Sequence, residues 1–243
     1  MFPRLTTLAK LFTADYWIVL DDVQFTRRDY QHRARLGGLD DPARRQWLTI
    51  PTHLPRGRPT LIRDAVIDAP SPARRRTAGL LRQHYGASPH WSALAQAVEP
   101  VLDAFTTGRT AAVAEVSTLV LLDLLGWQGQ ILTSSLLPAR PGRSVRLADL
   151  AAVTGARAYL CGTGGMTYLD PAPFTAQNIA VAPFRLPTTG IWSSGRRLSA
   201  LWALAVLGPR AVGARLKALA VDYQTPYGMQ VYTPTDDQPL SKG

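Results

Sequence analysis

Residues 20–36, LDDVQFTRRDYQHRARL, bring carboxylates, guanidinium groups and an imidazole together directly after an apolar stretch at residues 16–20. The apolar stretch predicts a buried strand, and α/β proteins place ligands and catalytic groups at strand ends. We therefore interpret Asp21, Asp22 and His32 as the candidate catalytic residues, with Asp22 or His32 as the general base. Because side chains alternate along a strand, the two adjacent aspartates are expected to point to opposite faces.

The arginines of the same stretch suit an anionic substrate, since a guanidinium group binds a carboxylate or a phosphate through two parallel hydrogen bonds. One aspartate is expected to orient Arg33 or Arg35 while the other faces the cleft. The alternative is that these arginines and aspartates form ion pairs that only support the fold. The residues expected to bind substrate here are Gln24, Arg28, Tyr30, Arg33 and Arg35.

A second candidate site follows a predicted strand at residues 158–161, within the sequence AYLCGTGGMTYLD of residues 158–170. Its glycines can bring backbone amides close to an anion, and an ordinary tight turn is the open alternative. We expect this segment to share one cleft with residues 20–35, and its strand to share one sheet with theirs. The residues expected to bind substrate here are Gly162, Gly164, Gly165, Tyr168 and Asp170.

No known cofactor signature accompanies these residues. The glycine segment lacks the Lys-Ser/Thr of a P-loop and the spacing of a dinucleotide fingerprint, and the histidines lack metal-ligand spacing. Ser134 and Ser135 lack the G-x-S-x-G turn of serine hydrolases. Cys161 is the single cysteine, which excludes an internal disulfide, and we interpret it as buried core. No metal site is expected, and the cofactor is left open.

Strand and helix patterns alternate along the 243 residues, which is typical of an α/β fold with a mixed or mainly parallel sheet flanked by helices. Apolar residues at helical spacing predict a helical segment around residues 71–125. Residues 1–221 are expected to form one domain. Residues 222–243 have weak periodicity and three prolines, so we expect a loosely ordered tail there.

The formal net charge of +10 suits anionic or phosphorylated substrates, and it leaves tRNA or another nucleic acid as a possible partner. The arginines are scattered from Arg4 to Arg215 rather than clustered on one motif, which weakens the nucleic-acid interpretation. No apolar run reaches the roughly 20 residues of a membrane span, so no membrane partner is expected. No secretory pattern opens the chain, and the expected location is the cytoplasm.

In its motifs the chain resembles the WbqC-like protein family. Members carry DDVQ followed by Phe or Tyr and then a basic, aromatic stretch, as in residues 21–35 here. Their later pattern YLxGxGGxxYLD is similar to residues 159–170. Shorter matches at residues 47–51, 84–86 and 198–209 agree in order and spacing, so that the resemblance covers roughly residues 2–209.

Three positions depart from the family pattern. Members usually open with His-Gln-Pro or Gln-Pro upstream of the Phe-Pro seen here as Phe2-Pro3, whereas this chain begins at Met1. His32 stands where an Asn is common, and Trp202 stands where many members carry Asp. Any role of the usual side chains at these two positions does not carry over.

The resemblance implies a biosynthetic transferase, because such proteins occur in gene sets for O-antigen polysaccharides and natural products, and a glycine-transferring role has been proposed for some. We therefore expect a group-transfer enzyme that forms an amide or ester from an activated acyl or aminoacyl donor and an amine acceptor. Two alternatives stay open: a non-catalytic small-molecule-binding or partner protein of such a pathway, and a tRNA-binding protein. Turnover, ligand binding without turnover, and salt-sensitive binding to tRNA distinguish the three.

Overall fold

The structure is a computed structural model that describes residues 1–224. The chain divides into two compact units. Unit 1 comprises Met1–Ser135 and Pro187–Ala220, and unit 2 comprises Leu136–Leu186 together with residues 221–224. Compact units can belong to one domain, so the single domain over residues 1–221 stays a prediction. Of the predicted tail, residues 222–224 are helical and the rest lies outside the described residues.

Two pairs of strands are parallel. In unit 1, β1 (Tyr16–Val19) pairs with β6 (Gln130–Thr133), and in unit 2, β7 (Ala158–Gly162) pairs with β8 (Ala180–Phe184). The predicted α/β fold with parallel or mixed strands flanked by helices is confirmed. The prediction that β1 and β7 share one sheet is wrong, because each belongs to a separate two-stranded sheet. An apolar pattern identifies a strand but does not choose its neighbour.

Two further strand pairs, both in unit 1, are antiparallel. β2 (Arg33–Gly37) pairs with β3 (Arg45–Thr49), and β4 (Thr52–His53) pairs with β5 (Val66–Ile67). Along β2 the arginines alternate with buried apolar residues, so one face of this hairpin packs inward and the other carries the guanidinium groups. The hairpin therefore presents Arg33 and Arg35 on one surface.

Helices form a large part of unit 1. The segment predicted around residues 71–125 is confirmed as three α-helices, and the last of these ends at Leu125, directly before Gly126, whose φ of +77° suits a residue without a Cβ. Gly208 interrupts the final helix with a φ of +79°, directly before Pro209. The helices are α1 (Leu5–Phe12), α2 (Pro70–Tyr85), α3 (Trp91–Asp103), α4 (Thr110–Leu125), α8 (Ile191–Gly195) and α9 (Ala200–Gln224), of which α9 ends beyond unit 1.

The core of unit 1 joins helices and strands that are far apart in sequence. Fully buried leucines come from α1, from both strands of the β2–β3 hairpin, from α4 and from α9. Each such side chain contributes about 1.5–3 kcal/mol relative to an exposed one. Examples are Leu8, Leu36, Leu48, Leu121 and Leu204, all 0% exposed. β1 itself is only half-buried along its length, so the apolar stretch at residues 16–20 is a strand but not the fully buried one predicted.

Unit 2 is a small parallel strand pair with three helices, α5 (Arg143–Val153), α6 (Thr163–Met166) and α7 (Ala172–Thr175). Its core gathers residues from α5, β7, α7 and β8, and the rings of Tyr159 and Phe174 lie 5.0 Å apart within it. Cys161 is buried in this core, as predicted. The buried members are Ala148, Ala151, Cys161, Phe174, Ile179 and Val181.

Candidate functional site

Two predicted catalytic aspartates and two serines meet where β1 and β6 end. Asp21 and Asp22 follow β1, while Ser134 and Ser135 follow β6. The two strands run parallel and in register, so these four residues emerge at the same edge of the pair. This carboxyl edge is where α/β folds usually bind ligands. We call the four residues the acid–serine site.

One serine hydroxyl connects the two carboxylates. Oγ of Ser134 donates to Oδ1 of Asp22 at 2.5 Å and lies 3.1 Å from Oδ1 of Asp21. Asp21 also accepts hydrogen bonds from the amide of Ser135 at 3.0 Å and from its hydroxyl at 2.7 Å. A hydroxyl carries one proton, so Ser134 shares it between both acids.

The expectation that the two aspartates point to opposite faces is wrong, because both reach the same hydroxyl. The reason is that β1 ends at Val19, two residues before the first aspartate. Side chains alternate only while the backbone stays extended. Residues 21–22 already lie in irregular backbone, where both side chains can turn to one side.

The surroundings of the acid–serine site are negative and partly accessible. Burial and the charge of Asp21 raise the pKa of Glu115, a residue of α4. Asp21 and Asp22 are half-buried, whereas Ser134 is fully buried. The carboxylates can thus meet a ligand while the hydroxyl that holds them cannot. Such a pair is suited to bind a positively charged group or to accept a proton.

The outer face of the β2–β3 hairpin carries a second polar group, which we call the arginine–aromatic cluster. Cζ of Arg33 and Cζ of Arg35 each lie 4.4 Å from the ring centroid of Trp47. The ring of Tyr30 lies 5.7 Å from that of Trp47, and Cζ of Arg4 lies 4.6 Å from the Tyr30 ring. Three guanidinium groups therefore stack on two aromatic rings, a favourable cation–π arrangement.

These arginines do not pair with the predicted aspartates. Among residues 1–224, neither Arg33 nor Arg35 forms an ion pair with a carboxylate. Arg33 instead donates to the carbonyl oxygens of Asp29 at 3.1 Å and Arg28 at 2.5 Å. The expectation that one aspartate orients Arg33 or Arg35 is wrong, and so is the alternative of structural ion pairs at these two arginines. The aspartates are held by serines instead.

Two other predicted substrate-binding residues, Gln24 and Arg28, are exposed. Nε2 of Gln24 donates to the carbonyl oxygen of Arg58 at 2.8 Å, which ties it to a neighbouring loop. The side chain of Arg28 is exposed, and its carbonyl oxygen receives the bond from Arg33. A role in substrate binding stays a prediction for both residues.

His32 is buried beside the cluster. Only 9% of the residue is exposed, its ring lies 5.3 Å from that of Phe25, and Nδ1 makes no hydrogen bond within the described residues. Burial, followed by the positive charge of Arg33, lowers the pKa of His32 to about 4. The imidazole is therefore neutral at pH 7. Its burial makes it less available to a substrate than the half-buried Asp22.

The predicted glycine segment belongs to unit 2. β7 ends at Gly162, and α6 follows as a single short helical turn. None of its three glycines has a positive φ, so a left-handed turn does not explain them. A Cβ on Gly165 would lie 2.7 Å from Sγ of Cys161, whereas one on Gly162 or Gly164 would meet nothing within 4 Å. Packing therefore requires Gly165, and substrate binding by the glycines stays a prediction.

The other two predicted residues of unit 2 have local contacts. Tyr168 is 60% exposed, and Cζ of Arg143 lies 4.7 Å from its ring centroid. Oδ1 of Asp170 accepts a hydrogen bond at 3.0 Å from the amide of Ala172, the first residue of α7. The Asp170 carboxylate thus satisfies an otherwise unpaired amide at a helix start. Substrate binding by Tyr168 and Asp170, and a cleft shared with residues 20–35, stay predictions.

Three groups at these sites were not predicted from the sequence. Ser134 and Ser135 lack a hydrolase motif, but their place at the end of a strand was a signal that could have identified them as part of the site. Trp47 lies in the stretch of residues 47–51 that matches the family pattern, and nothing in the sequence indicated that its ring stacks on arginines. Glu115 lies on α4, and nothing in the helix pattern linked it to Asp21. Each contact joins segments that only the fold brings together.

No helix within residues 1–224 is both long and apolar enough to cross a membrane. In the same residues, no group of three or more His, Cys, Asp or Glu side chains is arranged to hold a metal ion.

Comparison with known proteins bears on the resemblance predicted from the motifs. The WbqC-like protein family matches residues 1–192, a range that includes the acid–serine site and the arginine–aromatic cluster. A relative, uncharacterized protein Rv1507c of Mycobacterium tuberculosis, is 25% identical over 173 residues, which are 70% of this chain and 72% of the relative. No solved structure matches the chain. The family match spans well over half of the sequence, and the chain therefore belongs to the WbqC-like protein family.

Proposed function

We propose that this protein is a biosynthetic group-transfer enzyme that forms an amide or an ester, and that its acceptor loses a proton at the acid–serine site. One observation carries the proposal: two half-buried carboxylates share one buried serine hydroxyl at the carboxyl ends of two parallel strands. A carboxylate pair attracts an ammonium group and can accept a proton from the neutral amine. An amine or hydroxyl acceptor suits such a site better than an anion does.

In the proposed reaction, the nitrogen or oxygen of the neutral acceptor attacks the carbonyl carbon of an activated acyl or aminoacyl donor. A new C–N or C–O bond forms, the bond from that carbon to the leaving group breaks, and the leaving group departs with the electron pair. Asp22 accepts the proton that the acceptor loses and returns it to the leaving group. Asp21, held through Ser134 and Ser135, orients the acceptor.

The other predicted residues take supporting roles in this proposal. Arg28, Arg33 and Arg35 hold an anionic part of the donor, because guanidinium groups bind anions in a fixed geometry. Gln24 and Tyr30 contribute contacts at the edge of the same surface. His32 positions its neighbours, since its burial limits direct contact with substrate. The pathway class that we propose, natural-product or O-antigen biosynthesis, rests on the motif resemblance.

The proposal is tested by turnover. Small amines, glycine among them, are incubated with an acyl-coenzyme A, an aminoacyl adenylate or an aminoacyl-tRNA, and amide products are detected by mass spectrometry. Asp22→Asn should lower turnover at least about tenfold, because the neutral amide cannot accept the proton. The melting temperature should change by only a few degrees, since the Ser134 hydroxyl can still donate to the amide oxygen.

Asp68→Asn is the matched control, because Asp68 is an exposed aspartate of the same unit. It should leave turnover unchanged. Full activity in Asp22→Asn would contradict the proposed base. Binding of donor and acceptor by the wild-type protein without any product would favour the non-catalytic binding protein instead.

A further inference from the structure

The arginine–aromatic cluster holds three positive charges close together on two aromatic rings. Within residues 1–224, no carboxylate forms an ion pair with Arg4, Arg33 or Arg35. Like charges at short range repel one another, and this repulsion must be offset by stacking on Tyr30 and Trp47 or by a bound anion. The cluster is therefore prepared to accept negative charge.

The guanidinium groups of the cluster keep unused hydrogen-bond donors. A guanidinium group has five N–H donors. Arg33 uses its side chain for two carbonyl contacts and Arg4 for one, to Arg196, while the Arg35 side chain donates no hydrogen bond within the described residues. All three arginines are half-buried, so these donors lie in a partly dry setting where an anion is held more strongly than in open water.

Stacking also fixes the direction of these donors. Arg33 and Arg35 leave β2 on the same face, two residues apart, and both lie against the Trp47 ring of the neighbouring strand. A planar group that rests on a ring loses little further freedom when it binds a ligand, so the cluster is preorganised. Removing the ring should weaken binding even though no charge is lost.

We propose that the arginine–aromatic cluster binds the phosphate groups of the donor substrate, which makes that donor a phosphate-bearing carrier molecule. This inference rests on the proposed group transfer. Three guanidinium groups match an anion with more than one negative charge, such as a diphosphate, better than a single carboxylate. Diphosphates occur both in nucleotide-linked carriers and in coenzyme A, and the two sources share the same chemistry.

The test is isothermal titration of the whole protein with inorganic pyrophosphate at about 150 mM salt, where contacts between distant surface charges are screened. Arg33→Gln and Arg35→Gln should each weaken binding about tenfold or more. Trp47→Leu should weaken it as well. Arg75→Gln, which removes an exposed arginine of α2, is the matched charge control and should bind as the wild type does.

Arg35→Lys keeps the charge but not the planar fork, and it covers the case in which Arg35→Gln fails to fold. This variant should show an intermediate loss of affinity. Coenzyme A and a nucleoside diphosphate are then compared with pyrophosphate, and the tighter ligand identifies the source. Wild-type protein that binds none of the three, or cluster variants that bind as tightly as Arg75→Gln, would overturn the inference.

The outcome also separates this inference from the proposed function. Asp22→Asn should bind pyrophosphate as the wild type does, because Asp22 makes its contact with Ser134 and is not a member of the arginine–aromatic cluster. Normal, cluster-dependent binding without any turnover would leave the phosphate site standing and reject the transferase. Turnover that depends on Asp22 together with cluster-independent pyrophosphate binding would reject the phosphate site alone.

Discussion

Ser134 donates one hydroxyl proton to a pair of carboxylates, and this small side chain therefore influences the position of both acids. It is fully buried, so it cannot itself reach a substrate. The amide and the hydroxyl of Ser135 both donate hydrogen bonds to Asp21. Asp22 accepts a short hydrogen bond from the Ser134 hydroxyl. At the scale of residues, the serines thus act as positioning groups and the aspartates as the groups that meet a ligand.

The low pKa of His32 predicts a pH dependence of stability. In the unfolded chain the imidazole titrates at its ordinary value of 6.5, whereas in the folded protein its pKa is about 4. Between these values the unfolded state binds more protons than the folded one. The free energy of unfolding should therefore fall as pH drops from 6.5 towards 4, by up to about 1.4 kcal/mol per pH unit. Above pH 6.5 this effect disappears.

The variant His32→Asn tests this pH dependence and carries the residue common at this position in family members. Urea unfolding at pH 5 and pH 8 should show a smaller loss of stability in His32→Asn than in the wild type, because the amide does not titrate. His53→Asn, at an exposed position, is the control and should keep the wild-type difference. An identical pH response in all three proteins would show that His32 does not have this effect.

At the scale of elements, the junction of β7 and α6 is set by close packing between two residues. Gly165 lies against Cys161, and a Cβ at residue 165 would come within 2.7 Å of Sγ. Gly164, one residue earlier in the same helical turn, has open space around its missing Cβ. The two glycines look alike in the sequence, but the structure gives them different packing.

This difference predicts the effect of two alanine substitutions on stability. Gly165→Ala should lower the free energy of unfolding by about 1–3 kcal/mol, because overpacking shifts the neighbouring backbone. Gly164→Ala should be neutral or slightly stabilising, since alanine favours a helix over glycine. Both are measured by urea unfolding. Adding Cys161→Ala to Gly165→Ala should recover part of the loss, and equal stability of the two single variants would contradict the packing argument.

At the scale of the whole molecule, the formal net charge of +10 favours contact with any polyanion. The arginines responsible are spread over both units, in residues as far apart as Arg28, Arg75 and Arg157. Positive charges that are spread over the surface attract phosphate groups but do not recognise a particular arrangement of them. We therefore expect binding to tRNA to be non-specific and strongly dependent on salt.

Fluorescence anisotropy with tRNA between about 50 and 200 mM salt measures this dependence. The double variant Arg33→Gln/Arg35→Gln should reduce the slope of log affinity against log salt by at most about two. Arg75→Gln/Arg76→Gln, which removes two exposed arginines of α2, should reduce it equally. Salt-resistant tRNA binding that is lost only with Arg33 and Arg35 would instead favour tRNA as the donor carrier.

Local patterns in the sequence identified much of the fold. The β6 strand and the helices between residues 71 and 125 were predictable because apolar spacing, proline and glycine act on their own neighbours in the chain. The β2 strand was not predicted, because Arg33 and Arg35 were interpreted by their charge and not as the outward-facing positions of a strand. They alternate with the buried apolar residues Ala34 and Leu36. The sequence also could not predict that β1 and β7 belong to separate sheets, because strand pairing depends on contacts between residues that are distant in sequence.

For the candidate site too, some features were predictable from the sequence and others depended on the fold. The DDVQ and YLxGxGGxxYLD motifs identified the family, and residue chemistry and position singled out Asp21, Asp22, Arg33 and Arg35. The contacts that these side chains make depend on the three-dimensional fold. Ser134 reaches Asp22 across 112 residues of chain because β6 lies beside β1. Residue type is written in the sequence, whereas proximity arises only when buried apolar surfaces bring distant segments together.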